Sequence, residues 1–370
     1  MKISAKSNIV LGALLAVSVI SIFLVENFKV REKTKWYDEK IKAAKISEQA
    51  AKFIKDFRLK KGVFIDPVND PNETALIGDD ITPITTDRGN IDAKLTSTNP
   101  NFAAVFVELL KKAGVKKGDK IAVAVTGSFP ALNISLYAAM KVLNLKPVII
   151  TSVGSSNWGA NIPEFTWLDM ESALYENGVF QFKSVAASIG GGLDRGRGLS
   201  PKGRKLILEA IERNGVKLIN EDFLSKSISK RIKIYDKKTG GKIAAYVNIG
   251  GGIASLGAAV NGQIIPTGLS EHLGVKNYPM RGVIIEMASR NVPIIHVLRV
   301  MELAKKYGLP VSPEPLPEPG EGKTFVKIKY NFDLTLALTL ILSALIAVVY
   351  FAEKKRNALG SSHIYTGEKK

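Results

Sequence analysis

The chain has 370 residues, 46% of them hydrophobic, enough for one large domain or two ordinary ones with a sizeable core. Lys and Arg number 52 against 34 Asp and Glu, and the resulting net charge of +18 favours anionic partners: nucleic acid, acidic lipid or an acidic polymer. Cysteine is absent, which excludes disulfides, thiolate metal sites and a cysteine nucleophile, and the three histidines (His272, His296, His363) are too far apart for a recognised metal-ligand spacing.

The first predicted element is an apolar run over 9–25, preceded by Lys2 and Lys6. Its bulky exit at 21–26 lacks a small-residue cleavage pattern, so residues 1–25 read as an uncleaved transmembrane anchor. Residues 26–61 are dense in charge, with Ile41, Ala44, Phe53, Ile54 and Phe57 at roughly helical spacing, which predicts a juxtamembrane helix, whole or broken, rising from the membrane. Its basic residues suit anionic lipid or polymer, or simply a solvated face. Residues 62–100 are loop-rich, with turn chemistry at Asp66–Pro67, Asp70–Pro71 and Thr82–Pro83, and a stretch so long and weakly patterned is expected to bind something.

Regular α/β alternation then fills 101–307. Helices are predicted over 101–114, 131–143, 170–177, 200–214 (Ser200 as N-cap, Pro201 in the first turn) and 293–307. Strands are predicted over 121–126, 147–152, 184–189, 216–219, 232–235, 244–249, 263–265 and 283–286. This order specifies an α/β fold, a mainly parallel open sheet with helices on both faces. Residues 308–331 follow, Pro-rich over 308–323 and read as a stiff spacer. The uncharged run within 332–352 is a second transmembrane helix, with Tyr330 and Tyr350 near its ends, and 353–370 form a polar tail containing His363. Two spans place both termini on one side. Lys2, Lys6, Lys354, Lys355 and Arg356 argue for cytoplasmic termini, against the basic flank from Lys29 to Lys45, and an extracytoplasmic central domain is the preferred reading.

Consecutive loops of a parallel sheet emerge at its carboxyl edge, where such folds bind ligands. Four loops fall there. The first, 127–133, presents Ser128 and Asn133 beside free helix amides; it lacks the Gly-x-Ser-x-Gly of a hydrolase elbow, so Ser128 reads as a ligand-binding or turn residue before a nucleophile. The second carries Ser155, Ser156, Asn157, Trp158 and Asn161, suited to a polar substrate, and runs on to Asp169 and Glu171. That pair is read either as acid and base or metal ligands, which needs an extended chain, or with Asp169 as a helix cap, the preferred alternative. The third and fourth are triple glycines, Gly190, Gly191, Gly192 and Gly250, Gly251, Gly252, each expected to form an anion nest, the first reinforced by Arg195 and Arg197. Neither matches a dinucleotide or Walker fingerprint, so no cofactor and no metal are expected. His296, one turn before Arg299 in the predicted last helix, reads as a packed residue.

Several polar strings resemble the bacterial poly-gamma-glutamate system protein family: Ile–Thr–Thr at 84–86, Thr–Ser–Thr–Asn–Pro–Asn–Phe–Ala at 96–103, the 127–133 loop, Ser–Ser–Asn–Trp–Gly–Ala–Asn at 155–161, Thr–Trp–Leu–Asp–Met–Glu at 166–171, Pro–Ile–Ile–His–Val–Leu at 293–298 and Tyr–Gly–Leu–Pro at 307–310. The resemblance spans roughly 75–319. It implies a membrane component that makes, exports or anchors poly-gamma-glutamate, beside other membrane subunits of the same system, and it assigns no catalytic residue. That polymer carries a carboxylate on every residue, which suits a basic domain with glycine nests and arginines. The alternative is a hydrolase or transferase acting on the polymer through Ser128 or the Asp169/Glu171 pair. Nucleic acid as partner is disfavoured by the two spans.

Overall fold

In the computed structural model, which describes residues 7–274 and 277–364 with side chains to 358, the apolar runs near 121–126 and 147–152 become adjacent parallel strands. These are β1 (Lys120–Thr126) and β2 (Lys146–Ser152), in register from Lys120↔Lys146 to Thr126↔Ser152. Five more strands complete the sheet: β3 (Ala186–Ser188), β4 (Leu218–Ile219), β5 (Tyr246–Ile249), β6 (Gly268–Ser270) and β7 (Ile294–Val297). Their order is β6-β7-β5-β1-β2-β3-β4, and every pairing is parallel except β6 with β7. From β1 the chain winds outward through β2, β3 and β4, then returns to lay β5 on the other side of β1. That reversal makes the β1/β5 boundary the topological switch point.

Burial on both faces explains why the strands read as continuous apolar runs. Val123, Val125, Val247, Ile249, Ile295 and Val297 face one core, shared with helices Tyr37–Lys60, Phe102–Lys112, Pro130–Val142 and Val300–Tyr307. Ala122, Ala124, Val148, Ile150, Tyr246 and Ile294 face the other, beneath Leu224–Thr239, Ile253–Leu256 and Val283–Ala288. A smaller core lies under helix Pro201–Arg213, which Ser200 caps by accepting from the Gly203 amide.

Several predicted elements are corrected. Residues 232–235 lie inside helix Leu224–Thr239, where Ile228, Arg231 and Tyr235 are buried at helical spacing. Residues 263–265 fall at the short helix Asn261–Ile264, and 283–286 in helix Val283–Ala288. Conversely, 294–297 is strand β7, so His296 belongs to the sheet. Short apolar windows without alternation carry no period to separate helix from strand, and tertiary burial decides them.

The chain divides into two compact units, Thr34–Phe325 and the two flanking ends. In the first, helix Tyr37–Lys60 is part of the body: Ala43, Ala44, Ser47, Ala50 and Ile54 are buried along one face. The stretch read as loop to residue 100 contains strand Thr85–Asp87 and helix Ile91–Ser97, which Asn90 caps through the Ala93 amide. The proline-rich segment is a strap on the body, with Leu309 and Phe325 buried. Asn72 donates to Pro313 O (2.8 Å), the Ser312 amide to Thr96 Oγ1 (2.9 Å) and Asn101 to Glu318 O (2.9 Å). In the second unit, helices Asn8–Asn27 and Phe332–Ile364 are long and apolar enough to cross a membrane, and strands Val30–Lys33 and Val326–Lys329 pair antiparallel. The C-terminal helix runs on to Ile364, into the sequence read as a polar tail. Lys2, Lys6 and the side chain of His363 lie outside the described residues.

Candidate functional site

The first two loops meet at the carboxyl edge. β1 ends in Gly127–Ser128–Phe129, and Pro130 opens the following helix with its φ already helical and no amide to leave unpaired. Gly127 donates to Ser152 O (3.1 Å), and Asn133 reaches back to Thr126 O (3.0 Å). The 153–161 loop closes onto this turn. Ala160 donates to Gly127 O (2.7 Å) and the Ser156 amide to Ser128 Oγ (3.1 Å). Close approach requires glycine at 159: a Cβ there would collide with Ser155 Oγ and lie 2.8 Å from both Gly127 O and Ser128 Cα.

Not every polar residue of this loop is open to a ligand. Asn157 donates to Asp80 O (2.7 Å) and the Asp80 carboxylate (2.6 Å), and accepts from the Gly89 amide (3.0 Å). Asn161 accepts from the Asp79 amide (3.0 Å) and donates to Asp79 O (2.7 Å) and Thr85 Oγ1 (3.0 Å). Both asparagines thus tie the 79–89 segment over the loop. Ser155 is buried, its hydroxyl on Ser156 O (2.9 Å). Trp158 stands in the left-handed region (φ 56°), with its indole N–H buried and unpartnered.

A residue absent from the sequence reading sits at the centre. Lys94, on helix Ile91–Ser97, is 2% exposed. Its ammonium donates to Ser156 Oγ (2.8 Å) and to the Ser128 carbonyl, and stands 4.3 Å from the Phe129 ring centroid. Among the described residues no carboxylate pairs with it. Burial without a counter-charge pulls its pKa down to about 7. A lone lysine in a stretch without apolar period gave no linear signal; the Asn90 cap was the one available clue to its helix.

The triple glycines flank Ser152 at the end of β2. Gly190 and Gly191 adopt φ 80° and 63°, and Leu193 and Asp194 follow in the same left-handed region. That turn drives the Asp194 carboxylate inward. There it accepts from Ser188 Oγ (2.7 Å) and from Arg231 Nη2 (3.0 and 3.1 Å), both ion-pair partners being fully buried. Gly192 bridges Arg197. Arg195 and Arg197 are left exposed and, with Leu193, Arg204, Leu208 and Asn220, line a cleft of about 450 Å³. Arg195 donates to Asp222 O (3.1 Å), and Arg204 to Leu199 O (2.6 Å). The second triple glycine packs against the switch point through Gly250. Gly250 (φ 91°) gives its amide to Val297 O (2.8 Å), and a Cβ there would collide with Thr126 Oγ1. A Cβ on Gly252 would stand 3.6 Å from Ser152 Oγ, while Gly251 is exposed.

Asp169 and Glu171 diverge, as a spacing of two on a helix dictates. Asp169 completes a capping box with Thr166 and accepts from Arg213 (2.6 and 2.8 Å) and Asn214 (2.9 Å). Burial raises its pKa, but those bonds and the Arg213 charge outweigh burial and hold it below the ordinary carboxylate value. Glu171 points into the core, accepting from Tyr137 and from the Ser184 amide and hydroxyl (both 3.0 Å); burial pushes its pKa up. His296 is 1% exposed, its Nδ1 3.0 Å from Asn248 Nδ2, and burial with the nearby Arg299 charge brings its pKa to about 4. Among the described residues no group of three His, Cys, Asp or Glu is placed to hold a metal.

Comparison with protein-family models, curated proteins and solved structures found no match to this chain.

Proposed function

We propose that the chain is a membrane-anchored component that handles an anionic, carboxylate-bearing polymer, and specifically poly-gamma-glutamate. The observation that carries this reading is the cleft of Arg195, Arg197 and Arg204, in which Arg195 pairs with the Asp222 carboxylate (3.5 Å) while Arg197 and Arg204 have no carboxylate partner among the described residues. Guanidinium groups bind carboxylates through paired N–H donors, and a cleft presenting several suits a chain of them. The net charge of +18 and the family resemblance support the same partner. The two apolar helices anchor the protein in the cell membrane, with the central unit extracytoplasmic and other membrane subunits of the system beside it. The full chain, purified in detergent, should bind poly-gamma-glutamate in a salt-sensitive manner and ignore neutral dextran. Arg197→Ala with Arg204→Ala should weaken binding at least tenfold, and equal binding to both polymers would sink the reading. The chain has no cysteine, so one introduced at exposed Lys202 reports orientation: labelling by an impermeant maleimide in intact cells places the unit outside.

A second reading, a hydrolase or transferase acting on the same polymer, is favoured by Lys94 against Ser156.

A further inference from the structure

An ammonium group enclosed without a carboxylate is an unfavourable arrangement that folding stability does not select, since buried lysines are otherwise paired or solvated. At Lys94 the enclosure is made by oxygen acceptors and a ring: Ser156 Oγ at 2.8 Å, the Ser128 carbonyl, and Phe129 at 4.3 Å from its centroid. As an ammonium, Nζ donates to both oxygens. Loss of one proton leaves two N–H donors and a lone pair, so the Ser128 carbonyl keeps its N–H and the lone pair faces the Ser156 hydroxyl at the same 2.8 Å. This is how a general base holds a hydroxyl nucleophile, in reach and desolvated.

Ser156 is placed for the role. It is half-buried where Lys94 is enclosed, so its hydroxyl is the more open of the two. Its backbone is held from two sides: its amide donates to Ser128 Oγ (3.1 Å), and strand Ser155–Ser156 pairs with Thr85–Asp87. Lys94 Nζ meets the hydroxyl of Ser156 and only the backbone carbonyl of Ser128, which makes Ser128 a positioning residue and Ser156 the nucleophile. The same turn opens the 13-residue helix Pro130–Val142, whose first amides have no partner within the helix and favour developing negative charge.

We propose that Ser156 and Lys94 form a serine–lysine acyl-transfer centre whose substrates are amide or ester carbonyls. Ser156 Oγ attacks the carbonyl carbon while its proton passes to Lys94 Nζ. The tetrahedral adduct collapses, the C–N or C–O bond breaks, and Lys94 returns the proton to the leaving amine or alcohol. The acyl-serine ester is then attacked by water, giving hydrolysis, or by an amine, giving transfer. Lys94 takes the nucleophile's proton and restores it to Ser156 Oγ as the ester breaks. No redox partner enters the balance. The centre stands on its own geometry; the assignment of polymer amide bonds as its substrate rests on the polymer reading.

The test uses the full chain in detergent and a fluorophosphonate probe, which phosphonylates an activated serine with loss of fluoride. Peptide mapping by mass spectrometry should place the label on Ser156. Ser156→Ala should abolish it. Lys94→Arg, which keeps the positive charge but supplies no base, should slow labelling by roughly 10²–10⁴-fold. Should Lys94→Arg fail to fold by circular dichroism, Lys94→Gln gives the same readout. No label on wild-type Ser156, or a Lys94 variant labelled as fast as wild type, overturns the proposal. The probe contains no polymer, so intact labelling without polymer binding sinks the polymer reading alone, and polymer binding without labelling sinks the acyl-transfer centre alone.

Discussion

Arg231 Nη2 stands 3.0 Å from the Asp194 carboxylate, with both side chains sealed beneath the loop that carries the first triple glycine. Breaking such a pair strands a charge where water cannot reach it. Asp194→Ala is therefore expected to destabilise the fold by about 3–5 kcal/mol. The loss should be read by denaturant titration. The same variant frees the 190–197 turn and should weaken polymer binding at the arginine cleft.

Asp169 gives a pH-dependent prediction. Its folded pKa lies below the ordinary value of 3.8, so its contribution is present above that value and is lost as pH falls through the folded pKa. Asp169→Asn should cost roughly 1–3 kcal/mol at neutral pH. The gap to wild type should close on acidification below pH ~4, where the wild-type carboxylate is itself protonated. A gap that stays constant to acid would contradict the assignment.

Lys94 has the same sign of dependence in a higher pH window. Its folded pKa of about 7 lies below the ordinary 10.5, so the folded state resists the proton. Stability linked to this group is full above the unfolded value and is lost as pH falls towards 7. Lys94→Met should therefore raise stability by roughly 2–4 kcal/mol at pH 6, with the gain vanishing at high pH. Melting curves across pH on the two proteins check this.

Gly159 tests the closure of the second loop on the first. Gly159→Ala places a methyl group against Ser155 Oγ and the backbone of Gly127 and Ser128. Neither backbone can yield freely, so a loss of about 1–3 kcal/mol is expected. Fluorophosphonate labelling of Ser156 should fall with it.

Residues 34–325 contain all three buried cores, the lowest and highest core positions being Ala43 and Leu309. Expressed without the flanking helices, this unit should be monodisperse in aqueous buffer and unfold cooperatively. Aggregation in the absence of detergent would show that the ends complete its core.

Elements with a local signature were legible in the chain. Ser200 before Pro201 marks a helix start through a short-range hydrogen bond, and that cap forms; Asp169, read as a helix cap, takes part in the capping box from N3, with Thr166 as the N-cap three residues earlier. The β1 and β2 runs are apolar because both faces are covered, and the loops after them lie at the sheet edge as a parallel fold requires. Windows such as 232–235 and 294–297 were misread because a few apolar residues fit either period. The strap at 308–325 looked like a free spacer because its anchors are Asn72, Thr96 and Asn101, far earlier in the chain.

By itself the sequence determined the α/β alternation, the two apolar helices at the ends and the glycine-rich loops at strand ends, all of which follow from spacing within a few residues. Only the tertiary structure decided the chemistry. Lys94 and Ser156 are 62 positions apart, and Asp194 and Arg231 are 37 apart. An ordinary lysine and an ordinary aspartate acquire their roles when folding removes water and fixes their partners, and no local pattern encodes that loss of solvent.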